Sequence, residues 1–377
     1  MIRPNITKGL LGLTATAVLA VSLIFSSGAS VAQGELEITG TAVTSDFPST
    51  ITFSLQASSA SEIIDIRLHY LVERDSYARV ISEIKPSFVP ATKASASWTW
   101  DLRQSGGMPP GSAVEYWWTV RDADGAVVSS LPATFIFADG RFSWQQTTRG
   151  NLTVYWYGRS ESGAQILLES ALDGLAELEN ETGAHLRQPV QIYVYADTAA
   201  MLGAMMFPQE WTGAATYTDQ ATIVFGLTDN WSWNAKTIVH ELAHMVSYQL
   251  TRGPYGVMPN WLSEGFSMYA EGEPDIYLTS ALVSALNDGT TLTVRSICVP
   301  FSADPGRSYL SYAQSYSLVE YLAGTYGQEK LLSLFTVFAR GADYDGALLE
   351  VYGFDMDGLY ARWLPYAMIK YVGMMLV

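Results

Sequence analysis

The hydrophobic period of this chain changes once, near residue 140, and that change commits it to two kinds of architecture joined in series. From Glu35 to about Ala138, short alternating segments such as LEITGTAV, TITFSLQA, IDIRLHYLV, ASASWTWDL, AVEYWWTVRD and ATFIFA are separated by clusters of Ser, Gly, Pro and Asp. Strands of that length and spacing, with no helical period among them, predict an all-β antiparallel sandwich over residues 33–141, with Asp124-Gly125 at a hairpin turn. Residues Asp139 to Gly150 read as a short connector.

Beyond the connector the pattern is helical. The stretch from Ala164 to Thr182 puts Ile166, Leu167, Ala171, Leu172, Leu175 and Leu178 on one predicted stripe. A strand at Val190 to Ala196, a helix around Thr198 to Met206 and a strand at Ala221 to Leu227 follow. Helices are expected over Ala235 to Leu250, from near Asn260, over Tyr312 to Gly324 and over Glu329 to Ala339. The chain is therefore expected to be multidomain: the β-sandwich, then an α+β domain over residues 142–377 with a mainly helical C-terminal part. The final stretch, Trp363 to Val377, is apolar but short and carries Lys370, which suits a docked terminal helix better than a membrane span.

At the amino terminus, Arg3 and Lys8 precede the uncharged run Leu10 to Phe25 and the small residues SSGASVA. This is the order of a secretory signal peptide over residues 1–32, cut after Ala32. An uncleaved anchor is the alternative, although the run is shorter than the roughly 20 residues a spanning helix needs. Either way the remainder, about 345 residues and enough for two cores, is expected outside the cytoplasm, secreted or at the cell surface. The charge of the whole chain argues against nucleic-acid and anionic-lipid partners: Asp and Glu number 37 against 21 Lys and Arg, a net charge of −16. Cys298 is the only cysteine, so no intramolecular disulfide forms, and with no Cys or His neighbour it is expected to be a buried packing residue.

Within the predicted 235–250 helix lies His240-Glu241-Leu242-Ala243-His244. Positions i and i+4 share a helix face, so the two imidazoles can close on one metal ion with Glu241 directed toward a water that the ion holds. A catalytic zinc takes three protein ligands and keeps one position open, so a third ligand must come from elsewhere. Glu264, in Trp261-Leu262-Ser263-Glu264-Gly265, is the natural candidate, because Gly253 and Gly256 allow the intervening loop to turn a second helix back against the first.

HELAH followed by WLSEGFSMYAEG resembles the gluzincin metallopeptidases, specifically their peptidase MA-like branch, over roughly Phe142 to Trp363. The segment in front, including MPPGSAVEYWWTVRDADG, resembles an immunoglobulin or fibronectin type III module. The resemblance implies a thermolysin-like catalytic domain holding one catalytic Zn2+ on His240, His244 and Glu264, with Glu241 as general base. In SYAQSYSLVEYL, Tyr312 holds the place of the tyrosine that donates to the oxyanion in related enzymes, and Tyr316 is its rival. Glu271, two turns beyond Glu264, is a candidate to orient a ligating histidine.

The implied activity is hydrolysis of peptide bonds in a peptide or protein substrate by a zinc-activated water. The substrate is expected to lie extended along a sheet edge. The Gly-x-Met-Glu-Asn type motif that holds a substrate's free amine in related aminopeptidases is absent, and the nearest segment, Trp211 to Tyr217, has no glutamate. An endopeptidase is therefore favoured. Two other readings fit the same residues: an extracellular binding or adhesion protein with a non-catalytic metal site, and a zinc hydrolase of a non-peptide substrate.

Overall fold

The computed structural model describes residues 35–208 and 212–373, the side chain of Arg159 excepted. The expected signal peptide lies outside the described residues.

The first region is built on one long strand. Seven strands, β1 (Glu37–Asp46), β2 (Thr50–Val72), β3 (Ser82–Ile84), β4 (Ala91–Asp101), β5 (Ser112–Asp122), β6 (Val127–Ser129) and β7 (Ala133–Phe137), form a single sheet whose pairings are all antiparallel. The segments TITFSLQA and IDIRLHYLV, expected as separate strands, are the two halves of β2. Ser58 to Ile63 contains no Gly or Pro to end a strand, and the irregularity there is absorbed as a shift of register against β4.

The sheet nevertheless folds over at this point. Phe53 in the first half and Tyr70 in the second have ring centroids 6.2 Å apart, whereas a straight strand would separate them by more than about 50 Å. Ile51, Phe53 and Leu55 thus meet Ile63, Ile66, Leu68 and Trp118 in one core. Between β5 and β6 the expected turn forms at Gly125, which has a φ of 87°.

The supposed connector is partly strand. β8 (Gln145–Arg149) pairs with β9 (Leu152–Trp156), and neither strand is long enough, at five residues, to show a clear period in the sequence. α1 (Glu161–Thr182) leads to β10 (Val190–Tyr195), α2 (Thr198–Leu202), β11 (Ala214–Tyr217) and β12 (Thr222–Gly226). The second sheet has the order β11-β12-β10-β9-β8, with β11 antiparallel to β12 at one edge. On α1 the buried stripe contains Ala164, Leu167, Leu168, Ala171 and Leu178, while Ile166, expected inside, is 46% exposed.

The rest is helical: α3 (Trp231–Thr251), α4 (Asn260–Glu271), α5 (Ile276–Asp288), α6 (Pro305–Tyr326), α7 (Gln328–Ala339), α8 (Tyr344–Tyr352) and α9 (Met356–Ala367). A π-helical turn, Met368–Val372, continues α9, and over its described part the apolar stretch is docked, with Trp363, Ala367 and Tyr371 buried. No helix among the described residues is long and apolar enough to cross a membrane. Cys298 is only half-buried, against α9, with Sγ 3.4 Å from Met356 Sδ.

The N-terminal β-rich region packs on the second sheet. Gly111, at a φ of 87°, sits where an added Cβ would lie 2.4 Å from Tyr193 Oη, so only glycine permits both the turn and the approach.

Candidate metal centre and its cleft

α3 begins at Asn230, whose side chain accepts the Trp233 N–H at 3.1 Å. Its inner face, Ile238, Leu242, Met245 and Val246, is fully buried. Burial of such side chains is worth roughly 1.5–3 kcal/mol each, so packing more than propensity fixes the helix and leaves His240, Glu241 and His244 on the opposite face. α4 returns antiparallel, which sets Ser263 and Glu264 beside His244 and Glu271 beside His240. Its position follows from Gly265, where an added Cβ would lie 2.3 Å from the Ser315 carbonyl of α6. That close approach also brings Tyr312 of α6 to the site.

The three expected ligands converge. His240 Nε2 and His244 Nε2 are 3.1 Å apart, and Glu264 Oε2 is 3.5 Å from each. Behind them, His240 Nδ1 donates to Glu271 Oε2 at 3.1 Å, and His244 Nδ1 is 3.1 Å from Ser263 Oγ. These outer contacts turn both Nε2 atoms toward the Glu264 oxygen.

Burial and the neighbouring charges act in opposite directions on the cluster. Burial by itself disfavours a charged His240, but the Glu264 and Glu271 carboxylates outweigh it and push its pKa up to about 10. Burial would likewise raise Glu264, yet the attraction of His244 and His240 holds it far below the usual carboxylate range. Glu264 Oε2 is buried and has no hydrogen-bond partner among the described residues. Two imidazole nitrogens and one carboxylate oxygen around such a point are a donor set suited to a metal ion such as zinc.

The cluster forms one wall of a cavity of about 550 Å³, lined also by Thr216, Glu241, Ser247, Tyr248 and Tyr312. Thr216, on the edge strand β11, donates its hydroxyl to Glu241 Oε2 at 2.5 Å. Tyr312 faces the cavity, and its pKa is raised by burial and by the negative charges of Glu264, Glu241 and Glu271, so the phenol keeps its proton and is a hydrogen-bond donor. Tyr316 instead donates to Glu320 at 3.2 Å. Ser263 was readable as the neighbour of Glu264. Thr216 carried no signal, because nothing local ties a strand residue to a glutamate on a later helix.

The Peptidase MA superfamily model matches residues 170–369. No curated protein matches the chain. Among solved structures, aminopeptidase A of Legionella pneumophila in complex with aspartic acid is 11% identical, with a TM-score of 0.39 over 89% of this chain and 50% of its own. This chain thus spans about half the length of that enzyme. OgpA of Akkermansia muciniphila is 14% identical, with a TM-score of 0.22 over 28% of either chain. BhCBM56 is 11% identical, with a TM-score of 0.20 over 27% of this chain and 99% of its own.

Proposed function

This chain belongs to the Peptidase MA superfamily, and from that premise we propose that it is an exported zinc-dependent metallopeptidase that cleaves internal peptide bonds. The observation that carries the reading is the convergence of His240, His244 and Glu264 beside Glu241 on the wall of one cleft. In this reading residues 1–32 are a signal peptide, residues 33–141 an immunoglobulin or fibronectin III-like domain and residues 142–377 the thermolysin-like catalytic domain. The missing amine-binding motif supports endopeptidase over aminopeptidase action.

His240, His244 and Glu264 would hold the zinc, with Glu271 and Ser263 keeping the imidazoles in orientation. When bound, zinc supplies a Lewis acid that polarises a carbonyl and makes water acidic near neutral pH. Glu241 takes the proton of the attacking water and returns it to the leaving amine. Thr216 orients the Glu241 carboxylate through its hydroxyl. Tyr312 donates to the oxygen on which negative charge develops. A substrate lying antiparallel along β11 gains main-chain hydrogen bonds from that edge.

The test is the metal content of the protein beginning at Gln33, wild type beside Glu264→Ala, together with casein cleavage with and without chelator. One equivalent of zinc, lost in the variant, and chelator-sensitive cleavage at internal bonds are expected. Zinc without cleavage of any peptide would overturn the peptidase reading.

A further inference from the structure

We propose that Asp75, in the N-terminal β-rich region, is a positioning residue for substrate binding that ties together the two walls of the catalytic cleft. The inference rests on the peptidase reading above and extends it to a loop that no motif points to. The loop Glu73 to Ile81 leaves β2 and crosses to the second region. There the Asp75 N–H donates to the Asp219 carbonyl at 2.6 Å, its carbonyl accepts the Tyr248 hydroxyl at 3.0 Å, and its carboxylate pairs with Arg252. Arg74 reaches Asp219 Oδ2 at 3.3 Å, and the Arg252 guanidinium lies 5.1 Å over the Tyr77 ring.

These partners belong to opposite sides of the cleft. Asp219 sits in the turn directly after β11, the strand whose Thr216 holds Glu241. Tyr248 lies on α3 one turn beyond His244 and lines the cavity, as does Thr218 beside Asp219. The main-chain N–H and C=O of Asp75 therefore bridge the strand edge, where a peptide would pair, and the helix that carries the metal ligands, and its carboxylate, paired with Arg252, holds the loop in place for both bonds. None of these contacts touches the ligands or Glu241, so Asp75 acts on how the peptide is held and leaves the chemistry alone. Its side chain is 29% exposed, so its removal leaves no buried hole.

The test uses the full chain with zinc and the oxidised insulin B chain as substrate. Asp75→Ala is expected to raise KM about three- to tenfold with kcat within twofold and zinc content unchanged. Amide exchange over residues 218–220 should quicken while that of α4 and α6 stays as it was. Asp75→Glu should restore most of the loss, and so should the charge swap Asp75→Arg with Arg252→Asp.

Binding of fluorescein-labelled insulin B chain, read by anisotropy in the Glu241→Gln background, asks the same question without turnover. A three- to tenfold weaker Kd in Asp75→Ala supports the proposal even where no peptide is cleaved, an outcome that would sink the peptidase reading alone. Unchanged KM and Kd, a loss confined to kcat, a loss of zinc, or no binding by either protein would each overturn the role given to Asp75.

Discussion

Thr216 and Glu241 are joined by a 2.5 Å hydrogen bond from hydroxyl to carboxylate across 25 residues of sequence. The bond holds the carboxylate that would take the proton against the strand along which an extended peptide would add on.

Replacing Glu241 by Gln keeps the size of the side chain and removes the proton acceptor. The variant is expected to bind zinc normally and to lose about 10² to 10⁴ in kcat. Thr216→Val, which leaves the carboxylate in place but unheld, should lose about tenfold. Steady-state kinetics with metal analysis checks both, and full activity in Glu241→Gln would exclude the proposed base.

Glu271 touches His240 at Nδ1, on the side away from the ligand cluster. Its conversion to Gln weakens the acceptor, and such outer partners typically matter by 10- to 100-fold in metal affinity. Competition against a zinc chelator should therefore show a tighter wild type, whereas equal affinities would mean that the contact is incidental.

Tyr312 and Tyr316 separate cleanly. Tyr312→Phe removes a donor from the cavity and is expected to lower kcat by about 10² with little change in KM. Tyr316→Phe removes a bond to Glu320 outside the cavity and should leave kcat within twofold. The opposite ranking in matched kinetic assays would transfer the role to Tyr316.

Gly265→Ala tests the packing beneath the site. In an open helix the change stabilises by roughly 1 kcal/mol. Here the new methyl would stand 2.3 Å from the Ser315 carbonyl, and overpacking of this kind costs about 1–3 kcal/mol. Thermal denaturation should show a lower midpoint than wild type, and a raised one would contradict the close approach of α4 and α6.

The local features were open to reading because short-range geometry dictates them. The i and i+4 spacing of His240 and His244 follows from helical pitch alone, as does the pairing of period-two segments in the first region. Glu264 was accessible because a glycine-containing loop returns the chain at once to the same helix. The limits of each helix were less legible: α3 starts four residues before the expected Ala235, where the Asn230 cap and the packing of Trp233 near Phe225 extend it.

Tertiary structure decided what depends on contacts between distant segments. It fused two expected strands into β2, because no residue at the fold-over stops the hydrogen-bonded ladder. It exposed Ile166 by covering the neighbouring face of α1, since helical period names a stripe only to within its width. It selected Tyr312 over Tyr316 for the cavity, put Thr216 on Glu241 and carried Asp75 to Tyr248. Residue order and helical pitch establish which groups the protein owns and which helices present them. Their mutual distances came from the close-packed interior, where one glycine against one carbonyl sets the separation of two helices and no local pattern records it.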